Sequence, residues 1–330
     1  MELSVIILAA GKGTRMKSVL PKVMQPLAGK PLLAHVLATA QELQSSRTIV
    51  VYGHGGEVVQ KHFANQDNLA WALQAEQKGT GHAVQMALSQ LPETGKSLIL
   101  YGDVPLTTPE TLQKLLDLVV DNQKIALLTV NLANPTGYGR IVREAGLVQR
   151  IVEQKDASEQ EKQITEVNTG ILCVPNCHLH QWLPTLKNNN AQGEYYLTDV
   201  IALAVQQGLT VHTYQPQAAW EVEGINDKLQ LSTLERVYQR LQAENLMRAG
   251  ATIIDPARFD MRGTATLGMD VFFDANVLLE GDNHFGNGVK VGTNCVIKNC
   301  RIANGVEIRA NSVLEDAEIG QNAQIGPFAR

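Results

Sequence analysis

The most constraining feature of this chain lies near its C-terminus. Phe285, Val291, Ile297, Ile302, Ile308, Leu314, Ile319 and Ile325 are spaced by 6, 6, 5, 6, 6, 5 and 6 residues. Glycine follows four of them, at Gly286, Gly292, Gly320 and Gly326. Hexad spacing with an apolar residue before a small one is the mark of a β-helix repeat. Three short strands per coil would put each apolar residue inside a triangular prism. Accordingly, 17 residues separate Phe285 from Ile302, and Ile302 from Ile319. Residues 250–330 are therefore expected to begin a left-handed parallel β-helix. A solenoid needs a polar cap on its last repeat. No cap is visible before Arg330, so the chain is expected to be a piece of a longer protein. Cys295 and Cys300 fall among the repeats, where small residues fill the prism and packing accounts for them.

The first part alternates strand and helix patterns. Ser4 to Leu8 is a β-branched-rich apolar run followed by a glycine loop. Pro31 opens a helical stretch with Leu32, Leu33, Val36, Leu37, Ala40 and Leu43 at helical spacing. Thr48 to Tyr52 reads as a strand closed by Gly53-His54-Gly55-Gly56, and Leu98 to Tyr101 as another ending in Gly102-Asp103. Thr108 reads as an N-cap with Pro109 at the first helical position. Ala126 to Val130 is a further strand. Strands separated by helices imply a parallel sheet covered on both faces. From Arg140 the pattern becomes mixed. Arg140 to Arg143 and Leu147 to Val152 form a hairpin around Glu144-Ala145-Gly146. Asn168 to Leu172 begins another strand, and Leu197 to Val205 reads as a helix. The expected organisation is a Rossmann-like α/β domain over 1–226, a linker helix over 227–249 and the β-helix over 250–330. Leu229, Leu231, Leu234, Val237, Tyr238, Leu241 and Leu246 mark that linker helix.

At 330 residues the chain has room for about two domains. It is 44% hydrophobic and 18% charged, too apolar for a disordered chain. A net charge of −5 argues against a dedicated nucleic-acid binder. The longest pure apolar run, Val5 to Ala10, is far short of the ~20 residues a membrane helix needs. It lacks a basic flank, so no secretory signal is expected. The four cysteines show no paired framework and read as free thiols of a reducing cytoplasm.

The run Leu8-Ala9-Ala10-Gly11-Lys12-Gly13-Thr14-Arg15-Met16 follows a buried strand, so its backbone N–H groups can cradle an anion at a sheet end. It is neither a dinucleotide fingerprint nor a P-loop, because Met16 stands where the third glycine belongs and no Gly-Lys-Ser/Thr follows. Lys12, Arg15 and Lys22 supply the cations a polyphosphate needs. Asp103 ends a strand where α/β sheets place their ligands, and a hard oxygen there suits Mg²⁺. Alone, it would serve equally as a helix or turn cap. Cys177-His178-Leu179-His180 is metal-like only in spelling. On a helix the two histidines do not share a face. His82 reads as a helix-start residue.

The glycine loop followed by Leu20-Pro21-Lys22 resembles the signature of nucleoside-diphosphate-sugar pyrophosphorylases. Three more segments resemble theirs in the same order. They are Gln74 to Ala83, Tyr101-Gly102-Asp103, and Glu221-Val222-Glu223-Gly224-Ile225-Asn226. With the hexads attached, the chain is most similar to the bacterial bifunctional N-acetylglucosamine-1-phosphate uridylyltransferases / glucosamine-1-phosphate acetyltransferases. The resemblance implies attack of a sugar-1-phosphate oxygen on the α-phosphorus of UTP, with loss of pyrophosphate. It implies Arg15, Lys22 and Asp103 as catalytic, and Asp103 with Asn226 as Mg²⁺ ligands. Leu8, Ala9, Ala10, Gly11, Lys22, Gln74, Gly79, Thr80, Gly102 and Asp103 would meet the nucleotide. Gln74 has an amide able to satisfy a pyrimidine edge, and Gly79 would let a flat base approach the main chain. Tyr101, Gly139, Glu153 and Asn168 would meet the sugar, with Glu194 in a lesser role. The substrates would be UTP and N-acetylglucosamine-1-phosphate, with no nucleic-acid or membrane partner. The location would be cytoplasmic and the product would feed cell-wall and lipopolysaccharide synthesis. The family packs as trimers through its prisms, and its acetyl-transfer site is built from later coils and a neighbouring chain, so acetyl transfer is not expected of these residues. A catalytically silent sugar-nucleotide sensor on the same folds is the competing expectation. Such a protein would be expected to lose Arg15, Lys22 or Asp103, and all three are present.

Overall fold

The computed structural model describes every residue except His54 and Asp67. His54, expected in the turn after the second strand, therefore lies outside the described residues. Two compact units emerge. One comprises 1–25 and 31–227, and the other 26–30 and 228–330.

The first unit is built on a nine-stranded sheet. Its strands are β1 (Leu3–Ala9), β2 (Arg47–Gly53), β3 (Leu69–Gln74), β4 (Lys96–Tyr101), β5 (Lys124–Asn131), β6 (Arg140–Glu144), β7 (Leu147–Val152), β8 (Glu166–Pro175) and β9 (Thr210–Tyr214). The central order is β9-β5-β8-β4-β1-β2-β3, with β6 and β7 attached beside β8. Strands β1 to β4 are mutually parallel, whereas β8 runs antiparallel to β4, β5 and β6. The apolar run in β1 has no polar alternation because both sheet faces are covered. Ile6 and Leu8 enter one core, and Val5 and Ile7 the other.

Helices α1 (Leu32–Glu42), α2 (Glu57–His62), α3 (Thr80–Ala87), α4 (Pro109–Leu116), α5 (Asn176–Trp182) and α6 (Asp199–Gln206) belong to the same unit. The Thr108 hydroxyl accepts from Thr111 N at 3.2 Å, the cap read from sequence. The β6–β7 hairpin turns through Ala145 and Gly146 at φ 49° and 83°, the left-handed pair a tight two-residue turn requires.

In the second unit, parallel strands stack the hexad residues in three columns. Ile253, Phe273, Val291, Ile308 and Ile325 form one, and Met261, Leu279, Ile297 and Leu314 the next. Leu267, Phe285, Ile302 and Ile319 form the third. This is a parallel β-helix. One expectation is corrected. The first two coils do not break into three short strands, because Phe259–Leu267 and Val277–Phe285 each run on as nine residues. Gly263 and Gly281 sit opposite each other and turn the corner with the pairing intact. At another corner Asn276, Asn294 and Asn311 take left-handed φ, and the side chain of Asn276 donates to that of Asn294, which donates to that of Asn311.

Helix α7 (Lys228–Arg248) buries Leu234, Gln239, Ala243 and Leu246, while Leu229 stands exposed. Of the residues that mark this helix in the sequence, Leu234 and Leu246 are thus buried, Val237 and Leu241 half-buried and Leu229 outside the packed face. Gln239 belongs inside because its amide donates to Met261 O and accepts from Met261 N, at 3.2 and 2.7 Å.

Candidate functional site

The parallel ladder sets Leu8 beside Tyr101, Ala9 beside Tyr52 and Gly53 beside Gln74. The loops after β1 to β4 therefore leave from one edge, outside the carboxyl ends where open α/β sheets take their ligands. A cavity of about 380 Å³ opens there. Leu8, Ala9, Ala10, Gly11, Lys22, Gln74, Gly79, Thr80, Tyr101, Asp103 and Asn226 line it, together with Glu194 and Gln77. Eleven nucleotide, sugar or metal candidates from the sequence, and Glu194 beside them, thus meet in one space.

On one wall the Lys22 ammonium touches Asp103 Oδ2 and donates to Asn226 Oδ1 at 3.1 Å. Two hard oxygens converge on one cation position. Mg²⁺ is held by few protein oxygens and completes its shell with phosphates and water, so this donor pair fits it. Among the described residues no group of three or more His, Cys, Asp or Glu gathers as a metal cage. Asn226 reaches this point because Ile225 N donates to Asp103 O at 2.8 Å. The segment before it is anchored by Glu221, 3% exposed. Its carboxylate accepts from the Thr108 and Thr111 hydroxyls and from Gln217 N and Ala218 N. Gly13, at φ 58°, leaves no room for a side chain, since a Cβ would stand 2.7 Å from Lys22 Cβ.

The opposite wall is the segment after β3. Tyr195 N donates to Lys78 O and Gly81 N to Tyr195 O, both at 2.8 Å, which ties 74–83 to 193–199. Glycine at position 79 has a reason beyond the one read in the sequence. Its φ is 105°, and a Cβ would meet Tyr195 O at 2.6 Å. The Thr80 hydroxyl oxygen accepts from Leu197 N at 3.2 Å and keeps its own hydrogen to donate. Gln74 Nε2 donates to Gly79 O at 3.0 Å and lies 3.1 Å from His82 Nδ1.

Gly102, Arg15, Gly139, Glu153 and Asn168 do not line this cavity. Gly102 lies beneath it, with its N–H on Leu8 O. Arg15 stands exposed on the one-turn helix Thr14–Met16. The other three gather near Tyr101. Asn168 N donates to Gly139 O at 2.8 Å, and Asn168 Oδ1 accepts from Gly170 N at 2.9 Å. Gly170 in turn lies against the Tyr101 ring. Burial, then the charges of Glu153 and Asp103, push the Tyr101 phenol far above its usual range. Glu153 lines a neighbouring cavity of about 420 Å³ with Asp156, Tyr196, Thr198 and Asp199. Burial raises the Glu153 carboxyl above its usual range. Thr198 opposes this with a hydrogen bond at 3.1 Å, while Asp156, Asp199 and Glu194 add to the rise.

Three contributors have no clear sequence signal. Gln77 donates to Ala10 O and so braces the glycine loop. His82 contacts Gln74 rather than serving only the helix start. Arg140, 1% exposed, donates to Tyr138 O, Gln154 Oε1 and Lys162 O. His178 and His180 diverge on α5, their ring nitrogens meeting Asn122 O and Leu91 O. Cys295 and Cys300 are buried in the repeats, as packing requires.

Residues 5–164 match the MobA-like NTP transferase domain family. The chain is 57% identical over its whole length to the bifunctional protein GlmU of Acinetobacter baumannii (strain ACICU), spanning 72% of that protein. It is 53% identical to that of Nitrosospira multiformis, again over all of this chain and 72% of the relative. A UDP-glucose pyrophosphorylase solved with UDP-glucose superposes with a TM-score of 0.59 at 18% identity, covering 72% of this chain and 98% of that one. A nucleotidyl transferase from Methanothermobacter thermautotroptrophicus superposes at 0.52 with 16% identity, covering 73% and 99%. At such identities these two likenesses show the fold alone.

Proposed function

The chain belongs to the bifunctional GlmU family and is a nucleotidyltransferase, and from that premise we propose that it transfers the uridylyl group of UTP to N-acetylglucosamine-1-phosphate. One observation carries the reading. An ammonium, a carboxylate and an amide oxygen converge beside a glycine loop, across one cavity from a buried carboxamide.

A phosphate oxygen of the sugar-1-phosphate attacks the α-phosphorus of UTP. The new P–O bond forms as the α–β P–O bond breaks, and pyrophosphate leaves with the electron pair. Both reactants are anions, so positioning and electrostatic stabilisation supply the catalysis. Backbone N–H groups of Leu8 to Gly11 cradle phosphate, and Lys22 and Arg15 neutralise its charge. Asp103 and Asn226 would hold Mg²⁺, which would supply further neutralisation of phosphate charge. Gln74, Gly79 and Thr80 receive the base. Tyr101, Gly139, Glu153 and Asn168 receive the sugar, with Glu153 accepting from its hydroxyls. In this reading 1–226 is the nucleotidyltransferase domain, 227–249 the linker helix and 250–330 the start of the β-helix. A cytoplasmic location and a trimer through the β-helix belong to the same reading. Among the described residues no helix is long and apolar enough to cross a membrane. Acetyl transfer is not assigned to these residues, and acetyl-CoA turnover by this chain would overturn that assignment.

The test is pyrophosphate release from UTP and Mg²⁺ with a panel of sugar-1-phosphates, beside Asp103→Ala. Release is expected with N-acetylglucosamine-1-phosphate above the others and is expected to vanish in the variant. UTP binding without release for any sugar would overturn the reading in favour of a silent sensor.

A further inference from the structure

Gln74 is 3% exposed, yet it lines the cavity. Its orientation is fixed from one side. Nε2 faces the Gly79 carbonyl oxygen at 3.0 Å and His82 Nδ1 at 3.1 Å. A carbonyl can only accept, and a neutral imidazole protonated at Nε2 accepts at Nδ1. Turning the carboxamide over would set Oε1 against two acceptors. Both amide hydrogens are therefore used inside the protein. Among the described residues Oε1 has no hydrogen-bond partner, and it is the atom left for a ligand.

The surroundings keep His82 neutral, the state in which Nδ1 can accept. Burial, then the positive charge of Lys78, holds its pKa below the usual histidine range, while the main chain and charge of Glu76 push the other way. The Tyr195 ring lies 6.3 Å away. A lone acceptor oxygen in a base site discriminates. The ring N3 of uracil carries a hydrogen that it can receive, whereas the ring N3 of cytosine is a bare acceptor. Sites built to receive a hydrogen bond reject partners that leave the buried group unpaired.

We propose that His82 is a positioning residue that locks the Gln74 carboxamide with its oxygen toward the base, so that the site takes the N3–H of a uracil-type nucleotide and refuses cytosine. This rests on the reading that Gln74 meets the base. The experiment compares kcat/KM for UTP and CTP on the full chain, for the wild type, His82→Phe, His82→Asn and Gln74→Ala. His82→Phe removes the acceptor, and its UTP/CTP ratio is expected to fall about 3- to 10-fold, with the KM for the sugar phosphate unmoved. His82→Asn is expected to restore the ratio, because its side-chain oxygen can stand where Nδ1 stood. His82→Ala replaces the phenylalanine variant if that one does not fold. Equal losses for both nucleotides in His82→Phe would mark a merely structural role and overturn the proposal. A ratio that collapses in Gln74→Ala but not in His82→Phe would overturn it while leaving Gln74 as base reader. An unchanged ratio in Gln74→Ala would instead remove that underlying reading.

Discussion

The two sides of the candidate site are held by different means. On the phosphate side, β1 and β4 lie side by side in parallel register in the middle of the sheet. Their ends are fixed by backbone hydrogen bonds, and the glycine loop and Asp103 leave from those ends. On the sugar side, the candidates hang from the β6–β7 hairpin and from an irregularity in β8 between Asn168 and Leu172. There the local shape rests on side-chain clamps. Gln154 Oε1 accepts from both Arg140 Nη2 and Gly137 N, and Asn168 Oδ1 holds Gly170 N. The parallel fold supplies a phosphate cradle almost for free, whereas a sugar pocket needs dedicated residues outside the ladder. Damage on the two sides should accordingly read out on different substrates.

The largest effect is expected where the fold itself aims the group. Asp103→Ala removes one of the two convergent oxygens, and pyrophosphate release is expected to fall ~10³-fold or more, about 4 kcal/mol. Arg15→Ala is expected to cost a similar ~10³-fold in rate if it acts as a charge-stabilising arginine. Both are checked by initial rates at saturating substrates, with UTP binding followed separately. A variant at Asp103 that loses only affinity for the sugar phosphate would erase the distinction between the two sides.

Arg140→Met tests the clamp. Among the described residues the guanidinium meets two carbonyls and one amide oxygen, with no carboxylate, and its buried Nε has no partner. Methionine keeps much of the volume but releases Tyr138 O and Gln154. The KM for the sugar phosphate is expected to rise about tenfold, or about 1.4 kcal/mol, while UTP affinity stays within twofold. Calorimetric titration of each substrate separates the two. Equal weakening of both would mean that the hairpin and the parallel edge form one mechanical element.

The same contrast explains what sequence alone conveys. The hexads are legible because each apolar residue repeats a local pattern that stacks on its counterpart, as Phe285 does on Ile302 and Ile319. Asp103 is legible because it follows a strand end, where such sheets take their ligands, and Lys22 because it closes the Leu20-Pro21-Lys22 signature after the glycine loop. Sequence alone gives no strand for Leu69–Gln74, whose Leu73 faces outward and whose Leu69 to Trp71 are only half-buried at the sheet edge. In the sequence Arg140 is no more than the first residue of a hairpin strand, since its burial is decided by oxygens from Tyr138, Gln154 and Lys162. Glu221 belongs to a recognisable segment, but its buried anchoring needs Thr108 and Thr111 from far along the chain. Gln239 fails on the same ground, because its two main-chain partners make a polar residue a core residue.

The smallest expected effect is also the one that sets stability against recognition. Glu153 has a raised pKa in the folded chain, first from burial and then from the charges of Asp156, Asp199 and Glu194, against the Thr198 hydrogen bond. The folded state therefore binds the Glu153 proton more tightly than the unfolded chain does. Its favourable contribution is fully present below the unfolded carboxyl pKa and is lost as pH rises through the folded value. At neutral pH the ionised group costs stability. Glu153→Gln removes the charge and keeps an oxygen to accept from Thr198. It is expected to stabilise the chain by about 0.5–2 kcal/mol at neutral pH. The gain should shrink toward zero below about pH 4.5, where the unfolded carboxyl is itself protonated. The KM for the sugar phosphate should rise several-fold in the same variant, because a carboxylate is the stronger acceptor for sugar hydroxyls. Denaturant midpoints at neutral and acid pH check the first part, and substrate titrations the second. A stability gain without any change in sugar affinity would take Glu153 off the sugar side and leave the neighbouring acidic cavity as the reason for its burial.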